Sequence, residues 1–427
     1  MQLMIIKLML ALFGGLIYAG ASQAETLEQA WQSAVANSHQ LKSTQADTEA
    51  TEQQLSAARG QRWPELNVST GYSQYNEAPA AKATFGGQTA QFNTAQSGSV
   101  KALAIASLPL FTSGRISHNI LAAEAAVKAA EHHESSTELT LKMLVADAYI
   151  AVLRSSGAIA VANDHVASLA AHHKGVANLF DQGMVAKNDV LAAKVQQANA
   201  EQIALQAHNR LDNANASYNQ LLDRNLTDAV QLSVQLPLAP EGNMAQLSAE
   251  ALGQRPELAV LAQQIAALEE QAKSVSASAL PQISVNAGFQ YQDNRYQVYE
   301  GLWLVNVGLQ WKLFDGSTRH NSNALHRLAM ALQEQRDDLT STIGLQVRQA
   351  YLDRTVAQQR ITVSHLAIAE ADENLAVVTD RYRQGLATNT EVLVAEDLRT
   401  QSHDNYNNAS YDAVLAVLQL RRAVGVL

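Results

Sequence analysis

Histidine supplies the first places where chemistry could gather: two adjacent pairs, His132–His133 and His172–His173, lie in proline-free stretches with a helical pattern. A helical metal site needs its ligands four residues apart on one face, whereas neighbouring positions point about 100° apart. The pairs therefore read as solvated surface, and no metal or other cofactor is expected. Cysteine is absent, which removes disulfides, thiolate metal ligands, thiol nucleophiles and an N-terminal lipid-modified cysteine. No nucleophile elbow, phosphate-binding glycine loop or metalloprotease helix is present either. An enzyme is not expected.

The elements that would carry any site are arranged by a duplication. Residues 180 to 193 read FDQGMVAKNDVLAA and residues 382 to 395 read YRQGLATNTEVLVA, so Gln182/Gln384, Gly183/Gly385, Val190/Val392, Leu191/Leu393 and Ala193/Ala395 recur at an offset of 202 residues. The same offset brings Ala148–Tyr149 onto Ala350–Tyr351 and Ala207 and Ala214 onto Ala409 and Ala416. A repeated chain of 427 residues can build one body from two halves. The spans are a signal peptide over 1–24, a first repeat over 25–222, a linker over 223–256 and a second repeat over 257–427. The leader reading rests on Lys7, the apolar run Leu8–Ile17 and the small-x-small site Ser22-Gln23-Ala24. The mature chain is thereby exported.

Each repeat reads helix, strand, strand, long helix, turn, helix. A helix from Thr26 to about Arg62 is stopped by Trp63-Pro64, because proline disfavours the α region for the residue before it. Strands follow at about 66–76 and 99–110, separated by a polar stretch from Asn76 to Gly98 that reads as a long loop. In the second half, strands at about 283–292 and 302–313 alternate most clearly, with Phe289, Tyr291, Trp303 and Trp311 on the apolar side. The linker holds a short alternating strand at Val230, Leu232, Val234 and Leu236. From Ile116 to Gln182 no proline intervenes, enough for a helix on the order of 100 Å. No segment beyond the leader offers 18 uninterrupted apolar residues, so a membrane would have to be crossed by strands.

Four strands with one apolar and one polar face cannot close alone, and open edges are not tolerated in hydrocarbon. Three chains would supply twelve strands, a size known for outer-membrane barrels. Positions 204, 207, 211, 214, 218 and 221, with their counterparts 406, 409, 413, 416, 420 and 423, form an alanine-rich three-four seam suited to close helix packing. Heptads alone would also fit a secreted trimeric stalk or adhesin without channel activity; the strands favour the channel. A formal charge of −10 excludes a nucleic-acid partner built on clustered basic residues.

In the order WPEL, PLFTSGR, FDQGMVAKNDVL, RPEL, LPQI, KLFDGSTR, YRQGLATNTEVL, the chain resembles the outer-membrane efflux protein family, the TolC-like exit ducts of Gram-negative bacteria, over essentially its whole mature length. The resemblance implies an α+β membrane protein: a homotrimer in the outer-membrane lipid, a twelve-strand β-barrel continuous with a long periplasmic α-helical coiled-coil barrel. It implies docking onto a periplasmic adaptor (membrane fusion) protein and an inner-membrane transporter, in a tripartite efflux or type I secretion system. Gly183, Met184 and Val185, with Gly385, Leu386 and Ala387, become the docking tip. Glu370, Asp372 and Glu373 become an acidic ring at the periplasmic aperture, where stacked carboxylates would repel one another and favour cations.

Overall fold

The computed structural model describes residues 24–234, 240 and 242–427. The expected leader lies outside these residues apart from Ala24, and so does part of the expected linker strand. In chain order the elements are α1 (Leu27–Asn37), α2 (His39–Gly60), β1 (Glu65–Gln74), β2 (Ala80–Phe85), β3 (Gln88–Asn93), β4 (Gly98–Phe111), α3 (Arg115–Asp181) and α4 (Lys187–Leu221). Then come α5 (Met244–Gln254), α6 (Pro256–Ala277), β5 (Gln282–Gln292), β6 (Gly301–Gln310), α7 (Thr318–Arg383) and α8 (Asn389–Val424). They form two compact units. One takes residues up to Lys42, Thr137–Gln254 and Ile343–Leu427; the other takes Ser43–Ser136 and Arg255–Thr342. Each unit draws on both halves of the duplication.

The second unit holds a four-stranded antiparallel sheet in the order β1-β4-β5-β6, which leaves β1 and β6 as edges. Its register sets the apolar residues in rows across all four strands. Val68, Ala104, Phe289 and Trp303 form one row, and Leu66, Ala106, Ala287 and Val305 the next. The edge-strand members stand in the open, Trp303 at 83% exposed and Val68 at 73%, while Ala104, Ala106, Ala287 and Phe289 between them are half-buried. The opposite face carries Asn67, Ser69, Asn286, Gln290 and Asn306, together with Leu103, Ile105, Leu302 and Leu304. An apolar surface this continuous is not left to water by a soluble monomer.

The expected loop over 76–98 contains a second hairpin, β2 with β3, turning at Gly86-Gly87. Both glycines have positive φ, 58° and 80°, as a tight two-residue turn of this hand requires. It is tied down beside the β5–β6 loop, where Asn294 Nδ2 donates to the Thr94 carbonyl at 3.1 Å. The strand expected to reach 313 stops at Gln310. Beyond it Lys312 pairs with Asp315 at 3.6 Å, and Asp315 in turn accepts from Ser317 and Thr318 at the start of α7.

The other unit is helical apart from an isolated bridge. The single helix expected over 26–62 is two, because Ser38 leaves the helix (φ −54°, ψ 119°) and its hydroxyl accepts from the Leu41 amide to start α2. Thr26 and Gln29 form a capping box ahead of α1. Leu27, Ala30, Trp31 and Leu41 then pack on Val145, Tyr149 and Ile150 of α3, Tyr218 of α4, Leu222 just past its end, and Leu418 of α8. Trp31 Nε1 finds the Lys142 carbonyl at 2.8 Å, so the indole is buried without an orphaned donor. By composition α3 also contains a stretch apolar enough to span a membrane, of which a third is buried.

Among the described residues of the expected linker strand, Leu232 forms a parallel bridge with Glu25. Around it sits a clasp. The Arg224 guanidinium grips both Glu25 carboxylate oxygens at 2.7 and 2.9 Å, Tyr218 donates to the same carboxylate at 3.0 Å, and the Tyr149 hydroxyl lies 2.6 Å from the Ser233 carbonyl. Burial pushes the Tyr149 phenol up to about 12. Arg224→Met keeps the stem and removes the fork, leaving a mostly buried carboxylate with one donor. Expected is a loss of about 1–2 kcal/mol, below the figure for a fully buried pair because Arg224 is one-third exposed. An earlier midpoint in chemical denaturation followed by circular dichroism would show it; an unchanged midpoint would assign the clasp no energetic role.

The linker also contains α5, absent from the sequence reading. Asn243 and Gln246 exchange backbone-to-side-chain bonds of 3.0 Å, a capping-box arrangement that starts the helix, and Leu247 and Ala251 bury its inner face.

Candidate functional site

The two repeated turns are built alike. At Gly183 φ is 74° and at Gly385 73°, the left-handed conformation that costs glycine least. Met184 N donates to the Leu179 carbonyl at 2.9 Å and Gly183 N to Phe180 at 2.8 Å; Leu386 N reaches Arg381 at 2.8 Å and Gly385 N Tyr382 at 3.0 Å. Each is thus a Schellman cap in which the glycine ends one long helix. The following helices differ. Thr388 and Glu391 form a capping box for α8, whereas Ala186 gives α4 no side-chain cap.

Each turn exposes one of its two apolar residues and buries part of the other. Met184 and Leu386 are 69% and 64% exposed, while Val185 and Ala387 pack partly onto a cluster of Val176, Ala193, Tyr382 and Val392. That cluster joins α3, α4, α7 and α8. Asn389 fastens it, donating to the Asp189 carbonyl at 3.3 Å and sitting 2.8 Å from His172 Nε2, with the His172 ring tilted against Tyr382 at 5.7 Å. His173 turns elsewhere, to Gln197 at 2.9 Å. The pair diverges as adjacent helical positions must. Among the described residues, no group of three or more His, Asp or Glu side chains is placed to hold a metal.

The three acidic residues separate. Asp372 faces α8, where Arg399 binds it at 2.7 Å and His403 at 3.1 Å. Burial raises its carboxyl, but the hydrogen bonds from His403 and Arg399 outweigh that and hold it below the ordinary carboxylate value. Glu370 and Glu373 are exposed on another face of α7. Neither makes a contact of the kind that Asp372 makes with Arg399 and His403. Sequence reasoning also missed Asp412, which links Arg154 of α3 at 2.7 Å and Arg360 of α7 at 3.0 Å. Nothing local marks a carboxylate whose partners lie 258 and 52 residues away.

A sequence profile described as outer membrane efflux protein matches residues 30–223 and 247–426. The chain belongs to the outer membrane efflux protein family. Among curated proteins, the outer membrane protein TolC of Vibrio cholerae serotype O1 is 23% identical over 425 residues, covering 96% of this chain and 92% of that one. Among solved structures, CusC aligns with a TM-score of 0.80 at 17% identity, over 93% of this chain and 92% of that chain. The outer membrane protein VceC of Vibrio cholerae aligns at 0.77 and 16% identity, over 93% and 96%. These likenesses carry the fold, which comprises long helices and a four-stranded sheet. As a family member the chain is an outer-membrane efflux channel, a passive conduit and no enzyme.

Proposed function

We propose that three copies of this chain pair β1 of one with β6 of the next, closing a twelve-strand barrel through which solutes leave the periplasm. The observation that carries this reading is the open-edged sheet whose apolar rows run across all four strands and stand exposed at both edges. In lipid both features become favourable only when the edges find partners, and identical chains supply them. A stalk or adhesin has no use for either.

On the same reading the repeated turns form the periplasmic mouth, six per trimer. Met184 and Leu386 meet a periplasmic adaptor linked to an inner-membrane transporter in a tripartite efflux or type I secretion assembly, with Gly183, Val185, Gly385 and Ala387 setting their geometry. Glu370 and Glu373 would line the aperture just inside, while Asp372 holds α7 to α8.

The absence of native cysteine makes the test direct. Leu386→Cys is expected to form a disulfide with cysteines placed on an adaptor tip in exporting cells, and the purified protein to show discrete single-channel conductance as a detergent-extracted trimer. No adduct during active export would remove the docking assignment, and no conductance would remove the channel.

A further inference from the structure

Beneath the tip, between α3 and α7, lies a cavity of about 610 Å³ that neither the barrel nor the docking turns account for. One wall is apolar, with Val176, Leu179 and Leu375. The other end is not. Glu396 of α8 is 3% exposed; one carboxylate oxygen accepts from the Ser168 hydroxyl at 2.5 Å, and Oε2 has no hydrogen-bond partner. Tyr382, 8% exposed, likewise has an unpartnered hydroxyl and lines the same space. Asp372, also at the wall, already has Arg399 and His403. Arg383 borders the cavity from an exposed position, where water screens its charge.

A buried carboxylate oxygen without a donor is among the costlier arrangements a protein can hold, and it becomes favourable when a ligand brings a donor and a positive charge. An aromatic face beside it adds attraction for a cation. The volume falls in the range that encloses a drug-sized molecule. We propose that this cavity binds an amphipathic organic cation, its protonated amine on Glu396 Oε2 and the Tyr382 hydroxyl, its apolar body between α3 and α7.

Dansylcadaverine, a primary alkylammonium with an aromatic body, tests this on the full chain as purified and reconstituted in nanodiscs; dansylamide, which lacks the ammonium, is the control. Expected is saturable fluorescence enhancement at one probe per chain, weakened about tenfold or more by Glu396→Gln and about threefold by Tyr382→Phe, with dansylamide indifferent to both. Ala376→Trp, on the exposed part of the wall, fills the space without altering charge and should abolish binding. Non-saturable partitioning, equal binding of the two probes, or an affinity unchanged by Glu396→Gln would overturn the proposal. If Glu396→Gln does not assemble, unchanged amine binding to Ala376→Trp overturns it alone. Channel conductance, measured in parallel, fails independently of this site.

Discussion

Replacing Met184 and Leu386 together with aspartate is expected to weaken adaptor binding roughly a hundredfold or more while leaving trimer assembly and single-channel conductance unchanged. Both side chains stand on rigid caps whose backbone hydrogen bonds are complete, so little ordering entropy remains to be lost on docking. Large exposed apolar groups on preorganised turns are the kind that dominate an interface, at about 2 kcal/mol or more each. Two such losses, about 4 kcal/mol together, would multiply to nearly a thousandfold, and partial overlap of the two contacts brings this down toward a hundredfold. Aspartate also brings a charge that the adaptor would have to desolvate. The folded turn should tolerate it, because both positions are exposed to solvent and the left-handed conformation falls on the neighbouring glycines. Co-purification of adaptor with the double variant at wild-type yield would show that docking lies elsewhere. Val185→Ala provides the contrast: its side chain belongs to the cluster below the turn, so its substitution should lower stability before it touches affinity.

The period-two pattern was readable because a strand between lipid and water must alternate along its whole length, and β5 and β6 do so at Val285, Ala287 and Phe289 and at Trp303, Val305 and Val307. The long helices were readable from missing prolines, and the turns from two glycines at one offset. What escaped were elements whose signal is a single side-chain bond. Ser38 splits a helix that periodicity carries through, Asn243 starts one inside a stretch read as linker, and Gly86-Gly87 turns a hairpin whose strands are too polar to show alternation. The site was legible by half. Met184 and Leu386 stand where the repeat puts them, but the split of Asp372 from Glu370 and Glu373 depends on which face of α7 meets α8. Glu396 is paired with Ser168 across 228 residues, and nothing near either position in sequence announces it.

Gly288→Val is expected to prevent assembly altogether, leaving no heat-resistant trimer and no conductance. Gly288 sits buried in β5 opposite Ile105 of β4, on the face away from the exposed apolar rows. A Cβ there would collide with the Ala104 carbonyl oxygen, a backbone atom, and come within 3.0 Å of the Ile105 Cα. The neighbouring strand cannot swing aside as a flexible side chain would. Glycine in a strand interior suits such a close approach of one backbone to another. Forcing the strands apart would break the β4–β5 ladder at its middle, and a sheet interrupted there cannot close with its copies into a continuous barrel. Gly301 gives the control for simple loss of glycine. A Cβ there would meet the end of the Phe289 ring at 2.5 Å, a group that can rotate away. Gly301→Ala should therefore still yield trimers, less stable by about 1 kcal/mol. Equal trimer yields from Gly288→Val and Gly301→Ala would mean that closure does not depend on this close approach.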